Sequence, residues 1–309
     1  MLISIPDDFP SVFDGSEAHK HARKLGEVSL NTTRGAEDEA ELARRIGKAR
    51  VAVNIRAYAR FTENVFRACP ELRMISIWGT GTDNIDLAAA ARHHVTVCNT
   101  PAVNAYAVAE HTIALMLAVA RKIPQIDREM RAGTWPREML TQLYGKTAGV
   151  FGTGAIGTRV AELARALGMQ VFTWSVRTGS PGGKDDLLRR ADVVTLHLRL
   201  TPQTAGFIGE REFGHMRPRA ILVNTGRGAL VDRAALLNAL GAGKIAGAGL
   251  DVFHDEPVKP DDPLLKCVDA VLSPHNAGQT PEVRRDGLLL AIENVEKFLA
   301  GKPTNVVRA

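Results

Sequence analysis

Three side chains in the last third of the chain have the chemistry to bind an anion and to move a proton. They are Arg227, Glu256 and His275, and each lies shortly after an apolar run. A guanidinium offers paired donors to a carboxylate and keeps its charge, whereas an imidazole donates or accepts a proton near neutral pH. A carboxylate beside the imidazole would orient the ring and favour its protonated form. Taken singly, each of the three also fits an ordinary turn or surface position.

A glycine-rich turn in the middle of the chain has the pattern of a dinucleotide site. Gly152, Gly154 and Gly157 form G-x-G-x-x-G, with Ala155 and Ile156 between the last two. The first glycine permits a tight turn, the second lets the backbone approach a pyrophosphate, and the third lets the following helix pack closely. The pattern alone is weak in a chain with 28 glycines. Because an apolar run precedes it and a one-sided helical pattern follows it, we predict a dinucleotide site.

The residues after the next apolar run indicate which dinucleotide binds. NAD-specific folds place an Asp or Glu there, about 20 residues beyond the turn, for the ribose 2′-hydroxyl. Here Ser175, Arg177 and Thr178 follow the run, and the acid is missing. A carboxylate would repel a 2′-phosphate, whereas Ser and Arg would accept one, so NADP(H) is favoured over NAD(H). The alternative is that Arg177 is solvated and that either cofactor is used. Arg199, two residues beyond His197, would add positive charge nearby.

Short apolar runs that alternate with amphipathic stretches must bring these residues together. The predicted strands are Leu2–Ile5, Arg50–Ile55, Met74–Trp78, Val95–Asn99, Thr147–Phe151, Gln170–Trp174, Val193–Leu198, Ala220–Asn224, Gly247–Val252 and Ala270–Leu272. Predicted helices include Glu37–Lys48, Ile85–His93, Asn104–Lys122, Ile156–Leu167, Arg233–Leu240 and Pro281–Ala300. Such alternation predicts the α/β class with parallel sheets. Ligands bind outside the carboxyl ends of parallel strands, so Arg227, Glu256 and His275 are expected to converge on one crevice.

Composition limits the class of protein without identifying it. The chain has 309 residues, enough for two domains, with 45% hydrophobic residues and a net charge of +5. The positive residues are dispersed, so we expect no nucleic-acid interface. Three widely spaced cysteines without a C-x-x-C motif predict neither disulfides nor a metal site. The first ten residues do not resemble a signal peptide, and no apolar run is long enough to span a membrane, so we expect a cytoplasmic protein.

Several motifs together resemble the D-2-hydroxyacid dehydrogenase family over nearly the whole chain. Residues 78–86, WGTGTDNID, are similar to its substrate loop, and CNTP at 98–101 with VAEH at 108–111 is similar to its linker. The resemblance implies two Rossmann-like doubly wound parallel-sheet domains. Residues 1–99 plus 276–309 would form the substrate domain, and residues 100–275 the dinucleotide-binding domain. It also implies a homodimer formed through the segment from Asn104 to Tyr144.

The resemblance also implies a role for each site residue. Arg227 would bind a small 2-keto acid, His275 would be the general acid and base, and Glu256 would orient His275. The implied substrate-binding residues are the backbone amides of Gly79, Thr80 and Gly81, together with Arg56. Further residues implied at the cofactor are Asp251 against the nicotinamide carboxamide, His197, for which a packing role is the alternative, and Gly278. No metal is needed, because the nicotinamide carries the hydride.

Other functions remain open from the sequence. Formate dehydrogenases share the fold but place Gln where Glu256 stands, and phosphite-oxidising relatives keep the Glu. A third alternative is a dinucleotide-sensing scaffold that resembles the corepressors among the relatives and turns over nothing. The sequence does not specify the substrate side chain, and small 2-keto acids such as glyoxylate and hydroxypyruvate are the leading candidates.

Overall fold

A computed structural model describes residues 1–56, 58–179 and 183–308. The chain divides into two compact units. Unit 1 comprises Met1–Asn104 and Gln279–Ala309, and unit 2 comprises Ala105–Gly278. The second unit is therefore inserted into the first, which is built from both ends of the chain.

Unit 1 contains a five-stranded parallel sheet with the strand order β2-β1-β3-β4-β5. Its strands are β1 (Leu2–Ile5), β2 (Glu27–Leu30), β3 (Val51–Asn54), β4 (Met74–Ile77) and β5 (Thr96–Cys98). Its helices are α1 (Glu17–Leu25), α2 (Glu39–Ile46), α3 (Glu63–Ala68), α4 (Leu87–Arg92) and, from the end of the chain, α11 (Pro281–Leu299).

The sheet of unit 1 is buried on both faces, which explains why its strands are continuous apolar runs. Val51 and Val53 of β3 belong to the core under α1 and α11, whereas Ala52 between them belongs to the core under α2, α3 and α4. Leu288 and Ile292 of α11 pack in the same core as β1. The last helix therefore completes the hydrophobic core that the first strand begins.

Unit 2 contains a six-stranded parallel sheet with the strand order β11-β10-β9-β8-β6-β7. Its strands are β6 (Thr147–Phe151), β7 (Gln170–Trp174), β8 (Val193–Leu196), β9 (Ile221–Asn224), β10 (Gly247–Leu250) and β11 (Ala270–Leu272). Its helices are α5 (Ala105–Ala120), α6 (Ile123–Arg131), α7 (Ala155–Ala166), α8 (Gly183–Arg190), α9 (Glu210–His215) and α10 (Arg233–Gly241), with 3₁₀ turns at Gly228–Leu230 and Pro263–Lys266.

Helices cover both faces of this sheet as well. Residues of α5 and α7 pack on one face, and residues of α8, α9 and α10 pack on the other. β6 lies between β7 and β8, so the chain leaves β6 toward one side and later crosses to the other. Such a reversal leaves a crevice at the carboxyl ends of the two strands.

The structure confirms the predicted fold class, two doubly wound parallel α/β sheets. Each predicted strand is present within one or two residues of its expected bounds. β2 was not predicted, because its four residues, EVSL, form no apolar run. Within the described residues, no helix is both long and apolar enough to cross a lipid bilayer.

Candidate active site

The three glycines of the turn between β6 and α7 occupy three different environments. Gly152 has φ +113°, and a Cβ there would lie 2.3 Å from the carbonyl oxygen of His197. A Cβ on Gly157 would lie 1.9 Å from the carbonyl oxygen of Gly152. Packing therefore requires both glycines. A Cβ on Gly154 would meet nothing within 4 Å, so the middle glycine borders open space.

The N-terminus of α7 presents uncapped backbone donors at this open space. Gly154 is the N-cap and offers no side-chain acceptor, and no acidic residue lies in the first turn. Ala155 is exposed and Ile156 is partly exposed. Unpaired N–H groups and the helix dipole make this end of α7 suitable for an anion such as a pyrophosphate.

The loop after β7 is a compact turn held by two hydroxyl groups. The Ser175 and Thr178 hydroxyls lie 2.6 Å apart, and the Thr178 amide donates to the Ser175 hydroxyl at 3.1 Å. The Gly179 amide donates to the Ser175 carbonyl at 2.8 Å. Arg177, at the tip, is exposed and pairs with no carboxylate among the described residues. The end of β7 is thus polar and cationic, without an acidic side chain from 175 to 179.

His197 lies directly beside the glycine turn at the end of β8. Its Nε2 atom is 2.9 Å from the Thr195 hydroxyl. Burial lowers the pKa of His197 to about 3, so the ring is neutral. Its backbone carbonyl is the group that excludes a side chain at Gly152. A neutral, packed histidine shapes the turn and does not supply a charge to it.

Arg227 follows β9 in a turn that Asn224 organises. The Asn224 side chain accepts from the Gly226 amide at 3.0 Å and donates to the Arg227 carbonyl at 2.9 Å. The Arg227 guanidinium donates to the Gly226 carbonyl at 2.8 Å. A Cβ on Gly228 would lie 2.1 Å from the backbone of Phe253, so the turn packs tightly against the segment that carries Glu256.

Glu256 and His275 form a short hydrogen bond between loops that follow adjacent strands. His275 Nδ1 lies 2.6 Å from one carboxylate oxygen of Glu256, and the other oxygen accepts from the Phe253 amide at 2.9 Å. The hydrogen bond to Glu256 raises the pKa of His275 despite its partial burial. Burial raises the pKa of Glu256, but the bonds from His275 and Phe253 outweigh it and the net pKa is lowered. The positive charge of Arg227 lowers the pKa of both groups.

The loop that carries His275 is anchored on Asp251. His275 has φ +50°, a left-handed conformation that a histidine rarely adopts. Its amide donates to the Asp251 carbonyl at 2.7 Å. The Asp251 carboxylate accepts from the Asn276 and Ala277 amides at 3.0 Å each and from the Ser273 hydroxyl at 2.7 Å. Asp251 is only 1% exposed. Asp251 therefore holds the loop in place, and its expected contact with a nicotinamide carboxamide stays a prediction.

The predicted substrate loop lies in unit 1 and follows β4. The Gly79 amide donates to the Thr100 hydroxyl at 2.8 Å, and its predicted contact with the substrate stays a prediction. The Thr80 and Gly81 amides have no partner among the described residues and remain available. Arg56 follows β3, and its guanidinium donates to the Pro10 carbonyl.

Sequence reasoning missed Thr100 and Ser273, which hold the two predicted loops. Each is a hydroxyl residue one position before a proline, at the end of a strand or just beyond it. This position could have indicated both residues, because a hydroxyl group there can donate hydrogen bonds to a neighbouring loop or accept them from it. Gly278 ends unit 2 just beyond the His275 loop.

Known proteins resemble this chain in sequence and in fold. A family model described as "D-isomer specific 2-hydroxyacid dehydrogenase, NAD binding domain" matches residues 113–277. A D-3-phosphoglycerate dehydrogenase of Archaeoglobus fulgidus is 41% identical over 299 residues, covering 93% of this chain and 56% of that protein. The chain thus spans little more than half the length of that relative. A glyoxylate reductase of Aeropyrum pernix is 43% identical over 257 residues, covering 77% of each chain.

The fold also matches solved structures along its whole length. An acyclic imino acid reductase, solved in complex with NADPH and D-Arg, has a TM-score of 0.91 and 30% sequence identity. That match covers 99% of this chain and 100% of the other.

Replacing Glu256 by Gln is expected to lower the pKa of His275. The variant removes the carboxylate that favours the charged ring, while the burial that opposes the charge remains. An NMR titration of the His275 ring protons measures the change directly. Asp255→Asn is the matched control, since Asp255 is the neighbouring carboxylate and pairs instead with Arg233 at 3.8 Å. An unchanged His275 titration in Glu256→Gln would contradict the assignment.

Proposed function

The chain belongs to the D-isomer specific 2-hydroxyacid dehydrogenase family, and we propose that it transfers a hydride between NADP(H) and a small 2-keto or D-2-hydroxy acid. The observation that carries the proposal is the 2.6 Å bond between His275 and Glu256, with Arg227 in the turn that packs against the segment carrying Glu256. This group combines a cation for a carboxylate with a proton donor of raised pKa. Reduction of a 2-keto acid needs both.

His275 supplies and removes the proton in the proposed reaction. When bound, the reduced nicotinamide provides a hydride to the keto carbon. The Nδ1 atom of His275 is engaged by Glu256, so Nε2 is the atom that donates a proton to the carbonyl oxygen as the hydroxyl forms. In the reverse direction the neutral ring accepts the hydroxyl proton. Arg227 binds the substrate carboxylate and favours the negative charge that develops on the carbonyl oxygen.

The glycine turn fits the pyrophosphate of a dinucleotide. The open space at Gly154 and the donors at the N-terminus of α7 are next to one another, so Gly152, Gly154, Ala155, Ile156 and Gly157 would surround the phosphates. His197 would contact the cofactor through its backbone and ring edge at the turn. These residues would hold the group without a charged side chain, which suits an anion bound at a helix end.

Ser175, Arg177 and Thr178 support a preference for NADP(H). Their turn presents two hydroxyl groups and an exposed guanidinium at the end of β7, where NAD-specific folds place an acid. A 2′-phosphate accepts from all three side chains. The solved imino acid reductase that this fold matches contains NADPH, which agrees with this preference.

The substrate is proposed to be a small 2-keto acid such as glyoxylate or hydroxypyruvate. The free amides of Thr80 and Gly81 are suited to its carboxylate, and Arg56 is the candidate in unit 1 for a further polar contact. The Aeropyrum relative of similar length is named a glyoxylate reductase, which supports the smaller substrate. The D-3-phosphoglycerate dehydrogenase is a much longer protein.

A homodimer through unit 2 is proposed from a patch of exposed apolar side chains. α6 has no buried residue, and the segment after it exposes Trp135 by 72%, Met139 by 94% and Tyr144 by 72%. Large exposed apolar side chains so close in the sequence are typical of an interface. A second copy of unit 2 is the proposed partner, since the segment matches the dimer region that the family resemblance implies.

Turnover of a 2-keto acid is expected to depend on His275. The assay follows the absorbance of NADPH and of NADH with glyoxylate, hydroxypyruvate and larger 2-keto acids. His275→Asn is expected to lower kcat by roughly 10²-fold or more, as for other general acids. His94→Asn is the matched control, because His94 is an exposed histidine with φ +57° and asparagine tolerates that backbone conformation equally. A loss below about tenfold would remove His275 from the reaction.

The same panel separates the alternative functions. Phosphite or formate with the oxidised cofactors tests the related dehydrogenases, and a 2-keto acid with an added amine tests imine reduction. Turnover of one of these substrates alone would replace the proposed substrate. Tight binding of the dinucleotide without any turnover would favour the scaffold function.

Arg177→Asp is expected to shift cofactor use toward NADH. The carboxylate would repel the 2′-phosphate and accept from the ribose 2′-hydroxyl. The measurement is the ratio of kcat/KM for NADPH to that for NADH, which we expect to fall at least tenfold. Arg165→Asp changes the charge equally on an exposed part of α7 and should leave the ratio unchanged. An equal ratio in both variants would place Arg177 outside the phosphate site.

Trp135→Glu combined with Met139→Glu is expected to produce a monomer. Two charges in a patch this exposed cannot be buried without a large desolvation penalty. Light scattering after gel filtration gives the mass directly. Val268→Glu, on another exposed apolar residue of unit 2, should leave the dimer intact. A wild-type protein that is already monomeric would contradict the proposed dimer.

A further inference from the structure

A second histidine and carboxylate lie behind the catalytic pair of unit 2. His111, on α5, places Nε2 at 2.8 Å from the Ser273 hydroxyl and at 3.6 Å from the Asp251 carboxylate. Ser273 lies two residues before His275, and Asp251 anchors the same loop. His111 therefore contacts the residues that hold the His275 loop, but it is not part of the Glu256–His275 pair.

The direction of these hydrogen bonds is fixed by the number of protons available. The Ser273 hydroxyl donates its one proton to the Asp251 carboxylate at 2.7 Å. It can only accept from His111, so His111 carries its proton on Nε2. The result is a one-way series of donors, from imidazole to hydroxyl to buried carboxylate, in which each bond polarises the next.

The carboxylate at the end of the series holds a strained loop. Asp251 is almost fully buried and accepts from the amides that follow His275, while His275 itself has φ +50°. Such a backbone conformation persists only when its surroundings impose it. The Asp251 oxygen that accepts from the Ser273 hydroxyl also accepts from the Asn276 amide, so a displaced Ser273 would disturb the group that holds the loop.

We propose that His111 is a positioning residue, which acts through Ser273 and Asp251 to keep the His275 loop in its active conformation. This inference rests on the proposed function of His275. It assigns a role to the histidine that ends the VAEH segment at 108–111. The rate of proton transfer depends steeply on the distance and angle of the donor, so a looser loop lowers turnover even if the dinucleotide still binds.

The test compares matched variants in the full-length protein. His111→Leu removes the donor, and His111→Gln restores an N–H at nearly the same distance from the backbone. His215→Leu is the control, because His215 is exposed to a similar extent, 25% against 27%, and also lies 3.6 Å from an aspartate. We expect His111→Leu to lower kcat roughly tenfold or more, as for other residues that orient a site residue through a hydrogen bond. His111→Gln should recover most of that loss, and His215→Leu should show none.

A double-mutant cycle tests whether the effect passes through Ser273. Ser273→Ala should lower kcat by a similar factor, and adding His111→Leu to it should cause little further loss. If the double variant lost the product of the two single losses, the two residues would act independently. That result would contradict the proposed series of hydrogen bonds. The dissociation constant of NADPH, measured by fluorescence, should stay within about twofold in every variant; a tenfold weakening would mean that His111 acts on the cofactor site.

Amide hydrogen exchange tests the inference without any substrate. The peptide that contains residues 273–278 should exchange faster in His111→Leu than in the wild type or in His215→Leu, with no change in α7. Unchanged exchange in that peptide would overturn the inference, whatever the kinetics. A wild-type protein that turns over no 2-keto acid would contradict the proposed function instead, and the exchange result would still decide whether His111 holds the loop.

Discussion

The common direction of the strands in each parallel sheet is the constraint on which the site depends. Parallel strands all end at the same edge, so the segments that follow them meet there regardless of their separation in the sequence. In unit 2 this brings together the glycine turn after β6, the hydroxyl turn after β7 and the turns that carry Arg227, Glu256 and His275. The helices on both faces bury the strands and fix that edge, which leaves the loops free to carry the chemistry.

Local environment gives chemically identical side chains in this unit different states. His197 is packed against the glycine turn without a carboxylate and stays neutral, whereas the bond to Glu256 favours the charged form of His275. Asp251 is buried and accepts several hydrogen bonds, whereas Glu256 is partly exposed and forms a hydrogen bond with the His275 ring. The residue type sets the range of possible chemistry, and burial and partners select the state within that range.

The sequence predicts what depends on local patterns and misses what depends on the return of a distant segment. Strand ends, the glycine turn and the hydroxyl residues after β7 are local features, and residue types and spacing are enough to identify them. The Gly79 amide donates a hydrogen bond to Thr100, and the loop around Ser273 donates hydrogen bonds to Asp251. Each interaction requires two distant segments to meet, and no periodicity in the sequence indicates such a meeting. The short strand β2 is missed for a related reason, since its place at the edge of the sheet does not require apolar residues. Ala57, residues 180–182 and Ala309 lie outside the described part of the chain.

The insertion of unit 2 within unit 1 has a consequence during synthesis on the ribosome. β1 and β3 emerge early. The face of their sheet that contains Ile3, Val51 and Val53 is fully covered only after α11, the last helix of the chain, has been synthesised. All of Ala105–Gly278 is translated in between, which takes roughly ten to thirty-five seconds at about 5–20 residues per second. During that interval the nascent chain carries an apolar sheet face that only α1 can cover, a surface that chaperones bind and that promotes aggregation. Unit 2 is continuous and can fold as soon as it is released, so the second unit in the sequence is the first that can finish.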